Sequence, residues 1–236
     1  MPKILILMSG GIDSTILAHM AGPRLGGLLF IDYGQPAAEQ ERRAVYQWAA
    51  PRDVDVIELA CDLSGVDDHM RTGVGAEGLR ILPGRNLIFV AHAVNIAKSR
   101  GWAEVWIGAN AGDEPYPDCR PAWVSALDAL SQADTGITVS APLVGMTKAE
   151  IIERARVDGI DLAQTWSCYQ PVQIIEPCGR CHSCLEGRIS CCDDPANHRR
   201  DPGGALDCIE CGASLPCGVC DECRAGIRCR ELPGVE

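Results

Sequence analysis

The amino-acid sequence predicts an α/β fold, a Rossmann-like doubly wound parallel sheet followed by small cysteine-rich modules. Strand-like apolar segments alternate with helical patterns over the first two thirds of the 236-residue chain. A glycine-rich turn directly follows the first strand-like segment, and most of the cysteines fall in the last third. Such an alternation favours parallel strands whose connecting helices cover both faces of one sheet.

Each element follows from a short periodic pattern of apolar residues. The strands are predicted at Ile4–Met8, Gly27–Asp32, Val54–Leu59, Ala103–Gly108 and Ile137–Ser140. The helices are predicted at Thr15–Met20, Ala38–Ala50, Leu87–Ser99, Pro121–Ala133 and Lys148–Val157. Thr147 and Glu150 form a capping-box pattern at the start of the last helix. Residues 62–84 show weak periodicity and several glycines, and we interpret them as a lid loop.

Composition and charge exclude several classes of function. The formal net charge of −11 argues against broad binding to a nucleic-acid backbone. No apolar stretch is long enough to span a membrane, and the first residues lack the charged start of a signal peptide. Of the 14 cysteines, only Cys61 and Cys119 precede Trp166, whereas secreted disulfide domains are short and rich in cysteine throughout. We therefore expect a cytoplasmic protein that carries metal sites.

The turn after the first strand has the features of a phosphate-binding site. Gly10 and Gly11 allow the backbone to approach a ligand closely, and the N–H groups of the next helix attract an anion. The segment lacks the Gly-Lys-Ser/Thr of a Walker loop and the GxGxxG of a dinucleotide-binding turn. An ordinary glycine-rich turn after a buried strand is the alternative. DYGQ and GANAGDEPYPDCR also follow strands, so all three segments should meet at one cleft.

The cysteine spacing predicts two sites of four thiolates, the ligand set that suits tetrahedral structural zinc. The first set is Cys168, Cys178, Cys181 and Cys184. A repeat of the PCxxCxxC pattern gives a second set of Cys208, Cys217, Cys220 and Cys223, with Cys211 as a competing ligand. An iron–sulfur cluster is the rival interpretation, but neither run has the ferredoxin spacing. Free thiols in a disordered tail are the remaining alternative.

Seven motifs together resemble those of the 7-cyano-7-deazaguanine synthase family, which belongs to the ATP pyrophosphatase (PP-loop) superfamily. They are SGGIDS (Ser9–Ser14), DYGQ (Asp32–Gln35), LPGRNLIF (Leu82–Phe89), YPDCR (Tyr116–Arg120), APLVGMTKAEI (Ala141–Ile151), TWSCY (Thr165–Tyr169) and CGRCHSC (Cys178–Cys184). The resemblance covers about residues 3–188. It implies a ligase that uses ATP, Mg²⁺ and ammonia to convert 7-carboxy-7-deazaguanine into the nitrile, releasing AMP and pyrophosphate.

The resemblance also implies which residues bind the nucleotide. Asp13 would hold Mg²⁺, and Lys148 would clamp a phosphate, although a solvated helix lysine is the alternative. Tyr33 and Gln35 would shape the nucleotide pocket, although simple packing would also explain Tyr33. The pyrophosphate would be cradled by Ser9, Gly10, Gly11 and Ser14.

A second group of residues would serve the acid. Arg85 suits a phosphate or the substrate carboxylate because its guanidinium forms a bidentate fork. Asn86, which opens the same helix at the cleft, belongs instead with the expected nucleotide-binding residues. Asp118 would accept a hydrogen bond from the N–H edge of the deazaguanine ring, and Arg120 would pair with the substrate or with Asp118.

We divide the chain into a PP-loop domain (1–165), a zinc-binding region with four cysteine ligands (166–188) and a second cysteine-rich zinc module (189–236). The last module is not a usual part of the family, and we interpret it as a docking surface for a protein partner. Residues Pro36–Ala38 stand where the family commonly has a histidine, and the stretches 61–83 and 110–116 look short. We also expect a homodimer.

Two alternative functions remain open. A synthase-like paralogue would activate the same acid but join it to an amine on a protein or nucleic-acid partner, as in an anti-phage defence or modification system. The altered lid and the extra module favour this alternative. A non-catalytic zinc adaptor is a third possibility, against which the intact SGGIDS, Lys148 and YPDCR argue.

Replacing Cys220 by serine tests the second cysteine module. We expect the zinc content of the protein to fall because one thiolate of the second site is lost. Basal AMP release should persist, since Cys220 lies beyond the part that resembles the ligase. Metal analysis and a nucleotide assay measure the two quantities, and a joint loss of both would place the tail in the core enzyme.

Overall fold

The computed structural model describes residues 1–63, 82–113, 116–169, 171, 177–178 and 183–184, and the backbone of three short strands nearer the C-terminus. The strands of the main sheet are β1 (Ile4–Leu7), β2 (Leu25–Asp32), β3 (Val56–Ala60), β4 (Glu104–Trp106) and β5 (Thr138–Ser140). The helices are α1 (Ile12–Ala21), α2 (Ala38–Ala49), α3 (Arg85–Ser99), α4 (Pro121–Thr135) and α5 (Lys148–Val157).

The five strands form one parallel sheet in the order β3-β2-β1-β4-β5, which confirms the predicted fold class. Alternate residues of the central strand serve opposite faces, since Ile4 and Ile6 lie in one core and Leu5 in the other. Helices α1, α2 and α5 cover the first face, and α3 and α4 cover the second. From β1 the strands are added first on one side, as β2 and β3, and then on the other side, as β4 and β5. In α/β proteins, ligands bind at the carboxyl ends of the strands where this order switches, which here is between β1 and β4.

Helix α1 begins three residues earlier than the sequence pattern predicts. Gly11 adopts an extended conformation (φ −79°, ψ 170°) immediately before the helix, so the helical residues start at Ile12 instead of Thr15. The first turn therefore includes Asp13 and Ser14. The apolar pattern misses this turn because its polar side chains face the cleft and not the core.

The predicted capping box at the start of α5 is confirmed. The hydroxyl of Thr147 accepts a hydrogen bond from the backbone N–H of Glu150, and the Glu150 carboxylate accepts one from the N–H of Thr147 at 2.7 Å. These two bonds satisfy N–H groups that have no partner within the helix. They fix the point at which the next residue, Lys148, enters the helix.

A charged network ties α2 to the last residue of β2 and to the middle of β3. The guanidinium of Arg42 contacts carboxylates of Asp32 at 2.9 Å, Glu39 at 3.0 Å and Glu58 at 3.0 Å. The pKa of Glu58 lies below its ordinary value, because the Tyr46 hydroxyl and then Arg42 donate hydrogen bonds to its carboxylate against the effect of burial. The network therefore fixes α2 against β2 and β3.

The three C-terminal strands are β6 (His198–Arg200), β7 (Leu206–Cys208) and β8 (Ser214–Leu215), paired antiparallel in the order β6-β7-β8. Three predicted ligands of the second zinc site, Cys217, Cys220 and Cys223, lie outside the described residues, as does most of the predicted lid loop. Among the helices that the structure describes, none is both long and apolar enough to cross a membrane.

The ring of Trp102 lies against two glycines of β2. A methyl group added to Gly26 would stand 2.9 Å from Cε2 of the indole, and one added to Gly27 would stand 2.9 Å from Cη2. Carbon atoms in contact prefer separations of about 3.5–4.0 Å. Only glycine therefore fits at these two positions of the strand.

We predict that Gly27→Ala lowers the free energy of unfolding by about 1–3 kcal/mol, because the added methyl group overpacks the core. Gly145→Ala is the matched control, since a methyl group there would meet nothing within 4 Å. Urea unfolding of the two variants provides the comparison. Equal midpoints for Gly27→Ala and the unchanged protein would contradict the packing assignment.

Candidate active site

A cleft of about 280 Å³ opens at the carboxyl ends of β1, β2 and β4. Of the residues that the sequence predicts for the site, the cleft is lined by Ser9, Gly11, Asp13, Ser14, Tyr33, Arg85, Asn86, Asp118 and Lys148. The expected convergence of the three strand-end segments is thus what the tertiary structure produces. These residues form a glycine-rich turn at one end of the cleft and an aromatic pocket around Arg85.

Gly10 determines the path of the glycine-rich turn. Its φ of +76° is in the left-handed region, which suits glycine. A methyl group added to it would lie 2.7 Å from the carbonyl oxygen of Glu41 and 2.8 Å from Cβ of Ala44. The turn therefore packs directly on the backbone of α2, and no residue with a side chain fits at this position.

The hydroxyl groups of the turn lie next to the N-terminus of α1. The Ser9 and Ser14 hydroxyls are 3.3 Å apart, and Ser14 donates a hydrogen bond to the carbonyl oxygen of Gly11 at 3.1 Å. Both serines and Gly11 line the cleft. Hydroxyl and backbone N–H donors at a helix N-terminus form a suitable cradle for an anion.

Asp13 and Lys148 form an ion pair across 135 residues of sequence. The Lys148 ammonium lies 2.9 Å from Oδ1 of Asp13 and 2.7 Å from Oδ2. The side-chain amide of Asn110 donates to the same carboxylate at 3.3 Å and accepts from the N–H of Gly112 at 2.8 Å. Asn110 is 1% exposed, and sequence reasoning did not single it out. Its position four residues after the carboxyl end of β4, in the segment predicted to reach the cleft, is the signal that could have found it.

The guanidinium of Arg85 lies against two aromatic rings, 5.5 Å from the centroid of Tyr33 and 5.8 Å from that of Phe89. It also donates a hydrogen bond to the Tyr33 hydroxyl at 3.2 Å. Burial lowers the pKa of Arg85, but Tyr33, Tyr169 and Asp118 together raise the pKa above its ordinary value. The cleft thus holds a permanently charged, planar cation of the kind that binds carboxylate or phosphate.

Three of the predicted residues, Gly10, Gln35 and Arg120, do not line the cleft, and Gly10 instead packs on α2. The Gln35 amide accepts from the N–H of Tyr33 and donates to Ile31 O and to Glu41, so it is used to build the turn after β2. Arg120 is exposed and sits immediately before α4, where its carbonyl oxygen accepts from the helix. Asn86, which does line the cleft, accepts a hydrogen bond from Nε of Arg85 at 3.2 Å.

The segment Thr165–Tyr169 forms a wall of the cleft that the assignment of individual site residues missed. The backbone N–H of Trp166 donates to the carbonyl oxygen of Gly10 at 2.8 Å, and its indole N–H donates to the carbonyl oxygen of Cys168 at 2.8 Å. Trp166 and Tyr169 both contribute to the cleft lining. The segment is held by its contact with the turn and by its internal bond to Cys168, and not by a helix or strand of its own. A periodic pattern in the sequence therefore does not predict its position.

Three of the four predicted ligands of the first zinc site come together in the structure. The sulfur atoms of Cys168, Cys178 and Cys184 all lie within 4.8 Å of one another, and Cys168 is 3% exposed. The N–H of Cys178 donates to the Cys168 sulfur at 3.1 Å. Thiolates around one zinc ion are about 3.8 Å apart, so this group fits a tetrahedral metal. Cys181, the predicted fourth ligand, lies outside the described residues.

The parallel sheet and the glycine-rich turn between β1 and α1 define a PP-loop protein of the α/β class. A family model described as queuosine biosynthesis protein QueC matches residues 3–190, and the chain belongs to this family. It is accordingly an enzyme, a carbon–nitrogen ligase. The matched region ends at residue 190, and the second cysteine-rich module is predicted to begin at residue 189.

The chain is 36% identical over 201 residues to "7-cyano-7-deazaguanine synthase 1" of Sphingopyxis alaskensis, covering 77% of this chain and 89% of that protein. It is 32% identical over 212 residues to the 7-cyano-7-deazaguanine synthase of Rhodopirellula baltica, covering 78% and 84%. Among solved structures, the U34-tRNA thiolase NcsA of Methanococcus maripaludis with its [4Fe-4S] cluster aligns with a TM-score of 0.49 at 13% identity, covering 80% of this chain and 64% of that one.

Proposed function

We propose that the chain is an ATP-dependent ligase that converts 7-carboxy-7-deazaguanine and ammonia into 7-cyano-7-deazaguanine, releasing AMP and pyrophosphate. One observation carries the proposal: the glycine-rich turn at the start of α1 and the half-buried Arg85 line the same cleft. The names of the relatives support the choice of acid and product. A reducing cytoplasm would keep the cysteine group available for metal, in line with the expected location.

In the first step, a carboxylate oxygen of the acid attacks the α-phosphorus of ATP. The bond from that phosphorus to the oxygen bridging the β-phosphate breaks, and pyrophosphate leaves. Ammonia then attacks the carboxyl carbon, loses a proton, and expels AMP together with one of the original carboxylate oxygens. A primary amide results, and alignment of the two reactants by the protein would supply effective molarities of about 10⁵–10⁸ M.

The second step repeats the activation on the amide. The amide oxygen attacks the α-phosphorus of a second ATP, and pyrophosphate leaves again. The nitrogen then loses its two protons while the carbon–oxygen bond breaks, so that a second AMP departs and the nitrile forms. Each of the two original carboxylate oxygens therefore ends in a different AMP molecule.

Ser9, Gly10, Gly11 and Ser14 would hold the pyrophosphate, supported by the donors at the start of α1. Lys148 would leave Asp13 for the phosphates, because a polyanion attracts an ammonium more strongly than one carboxylate does. Asp13 would then be free to hold Mg²⁺ while Asn110 keeps the carboxylate oriented. Bound Mg²⁺ would supply neutralisation of the charge that develops on the leaving pyrophosphate.

The planar deazaguanine acid suits the opposite end of the cleft. Arg85 would pair with its carboxylate, since the guanidinium is already held against Tyr33 and Phe89 and loses little freedom on binding. Asp118 lines the same cleft and would accept a hydrogen bond from the N–H edge of the ring. Arg120 would act only through Asp118 or at the rim, because its side chain is exposed.

A second candidate is the conjugating paralogue, which would stop at the amide bond and use an amine on a protein or nucleic-acid partner. The second cysteine-rich module beyond the family match favours it, since an added module provides a docking surface. Zinc in both cysteine groups and a homodimeric assembly belong to either candidate.

Oxygen labelling distinguishes the two candidates. The purified protein is given ATP, ammonia and acid that carries ¹⁸O in both carboxylate oxygens, and the products are weighed by mass spectrometry. The nitrile route predicts two AMP molecules per product, each with one ¹⁸O. One labelled AMP per product, formed only with an added amine partner, supports the conjugating enzyme, whereas unlabelled AMP would rule out adenylation of the acid.

We expect Asp13→Ala to lower AMP release by about 100-fold or more, because removal of one group that stabilises developing charge has effects of that size. Circular dichroism should show an unchanged fold. Asp134→Ala, at an exposed position on α4, is the matched control and should retain activity. Comparable turnover in the Asp13 and Asp134 variants would remove the assignment of the pyrophosphate turn.

A further inference from the structure

We propose that Trp166 is a positioning residue that couples the cysteine metal site to the nucleotide-binding turn, so that each site binds its ligand more tightly when the other is filled. The inference rests on the proposed function in one respect, the binding of nucleotide at the glycine-rich turn. The proposed coupling is a property of the link between the two sites, because each site could bind its own ligand without it.

Trp166 bonds to both sites at once. Its backbone N–H donates to the carbonyl oxygen of Gly10 at 2.8 Å, in the middle of the turn. Its indole N–H donates to the carbonyl oxygen of Cys168 at 2.8 Å, and the sulfur of Cys168 accepts from the N–H of Cys178 at 3.1 Å. A continuous path of hydrogen bonds therefore joins the turn to two of the metal-binding cysteines through one residue.

Packing reinforces this path. A methyl group added to Gly11 would lie 3.5 Å from the carbonyl oxygen of Trp166 and 3.9 Å from the Ser167 hydroxyl, which is ordinary contact distance. Trp166, Ser167 and Tyr169 line the cleft, and so does Ser183, the residue before Cys184. The backbone that carries the cysteines is thus also a wall of the cleft.

The physical origin of the coupling is shared ordering. Residues 165–169 belong to no regular helix or strand, so their positions depend on side-chain and turn contacts. Holding each residue in place costs about 1–2 kcal/mol of backbone entropy. A metal on Cys168, Cys178 and Cys184 would order the segment from one end, and a nucleotide on the turn would order it from the other. Whichever binds first reduces the cost for the second.

Linkage makes the effect measurable from both directions, because the factor by which metal tightens nucleotide binding must equal the factor by which nucleotide tightens metal binding. The probe is α,β-methylene-ATP with Mg²⁺, which cannot be cleaved between its α and β phosphates. Calorimetry gives its affinity for the full chain loaded with zinc and for the chain treated with chelator. We expect removal of zinc to weaken nucleotide binding about tenfold, within the usual range of coupling.

The reverse measurement uses competition between the protein and a chromophoric chelator for zinc, with and without saturating nucleotide, and should return the same factor. Cys178→Ser removes a ligand of the first site alone. This variant should bind nucleotide more weakly, as the zinc-free chain does, even when zinc is supplied to the other cysteines. Equal nucleotide affinities with and without zinc would overturn the coupling, whereas an absence of nucleotide binding in both states would overturn the proposed function as well.

Trp166→Phe isolates the indole bond, because it removes the donor to Cys168 and leaves the backbone bond to Gly10. We expect the coupling factor to fall below about threefold, against the roughly tenfold coupling of the unchanged chain. Trp106→Phe is the matched control: its indole donates to Glu104 at 2.9 Å, away from both sites, and the coupling should persist. Full coupling in Trp166→Phe would overturn the role of this residue.

If Trp166→Phe does not fold, hydrogen exchange in the unchanged chain decides the question. Zinc removal should speed amide exchange in the peptide that contains Ser9–Ser14, since the Trp166 contact with Gly10 is then held from one side only. Peptides from α4, on the opposite face of the sheet, serve as the reference. Identical exchange of the turn with and without zinc would overturn the inference.

Discussion

The contact of Gly10 with the backbone of α2 is the constraint on which the rest of the site depends. A methyl group at Gly10 would stand only 2.7 Å from the Glu41 carbonyl oxygen, so the turn has room for a hydrogen atom alone. That proximity sets the direction in which the chain enters α1. It also aims the Gly10 carbonyl at the N–H of Trp166, so one steric requirement orients both the turn and the opposite wall of the cleft.

The cleft contains one ion pair, Asp13 with Lys148, and one further cation, Arg85. Asp13 and Lys148 neutralise each other at 2.7 Å, which avoids leaving a partly buried charge without a partner. Arg85 stays cationic between Tyr33 and Phe89, and its pKa is raised by neighbouring groups despite burial. An anion that drew Lys148 away from Asp13 would break the ion pair but leave Arg85 in its place between Tyr33 and Phe89. The two ends of the cleft are therefore suited to different anions.

The cysteine-bearing segment is a part of the cleft and not an appended domain. Three thiol groups converge within 4.8 Å. Among the described residues near them, Trp166 donates to Gly10 of the turn, and Ser167, Tyr169 and Ser183 line the cleft. Structural metal sites contribute folding free energy, so a metal ion at this position would stabilise this wall of the cleft. The second cysteine-rich module differs, since the family match ends at residue 190 and the described strands β6, β7 and β8 form a separate sheet.

The sequence by itself determined the elements and their class. Periodic and capping patterns predicted the five helices that the structure describes and the five strands of the main sheet, because burial on one face imposes a local pattern along the chain. The tertiary structure alone decided the pairings: Asn110 and Lys148 meet Asp13, Gln35 turns inward to build a loop, Arg120 remains outside, and Trp166 joins Gly10. Such contacts join segments far apart in sequence, and their geometry depends on how the packed elements are placed, which no local pattern encodes.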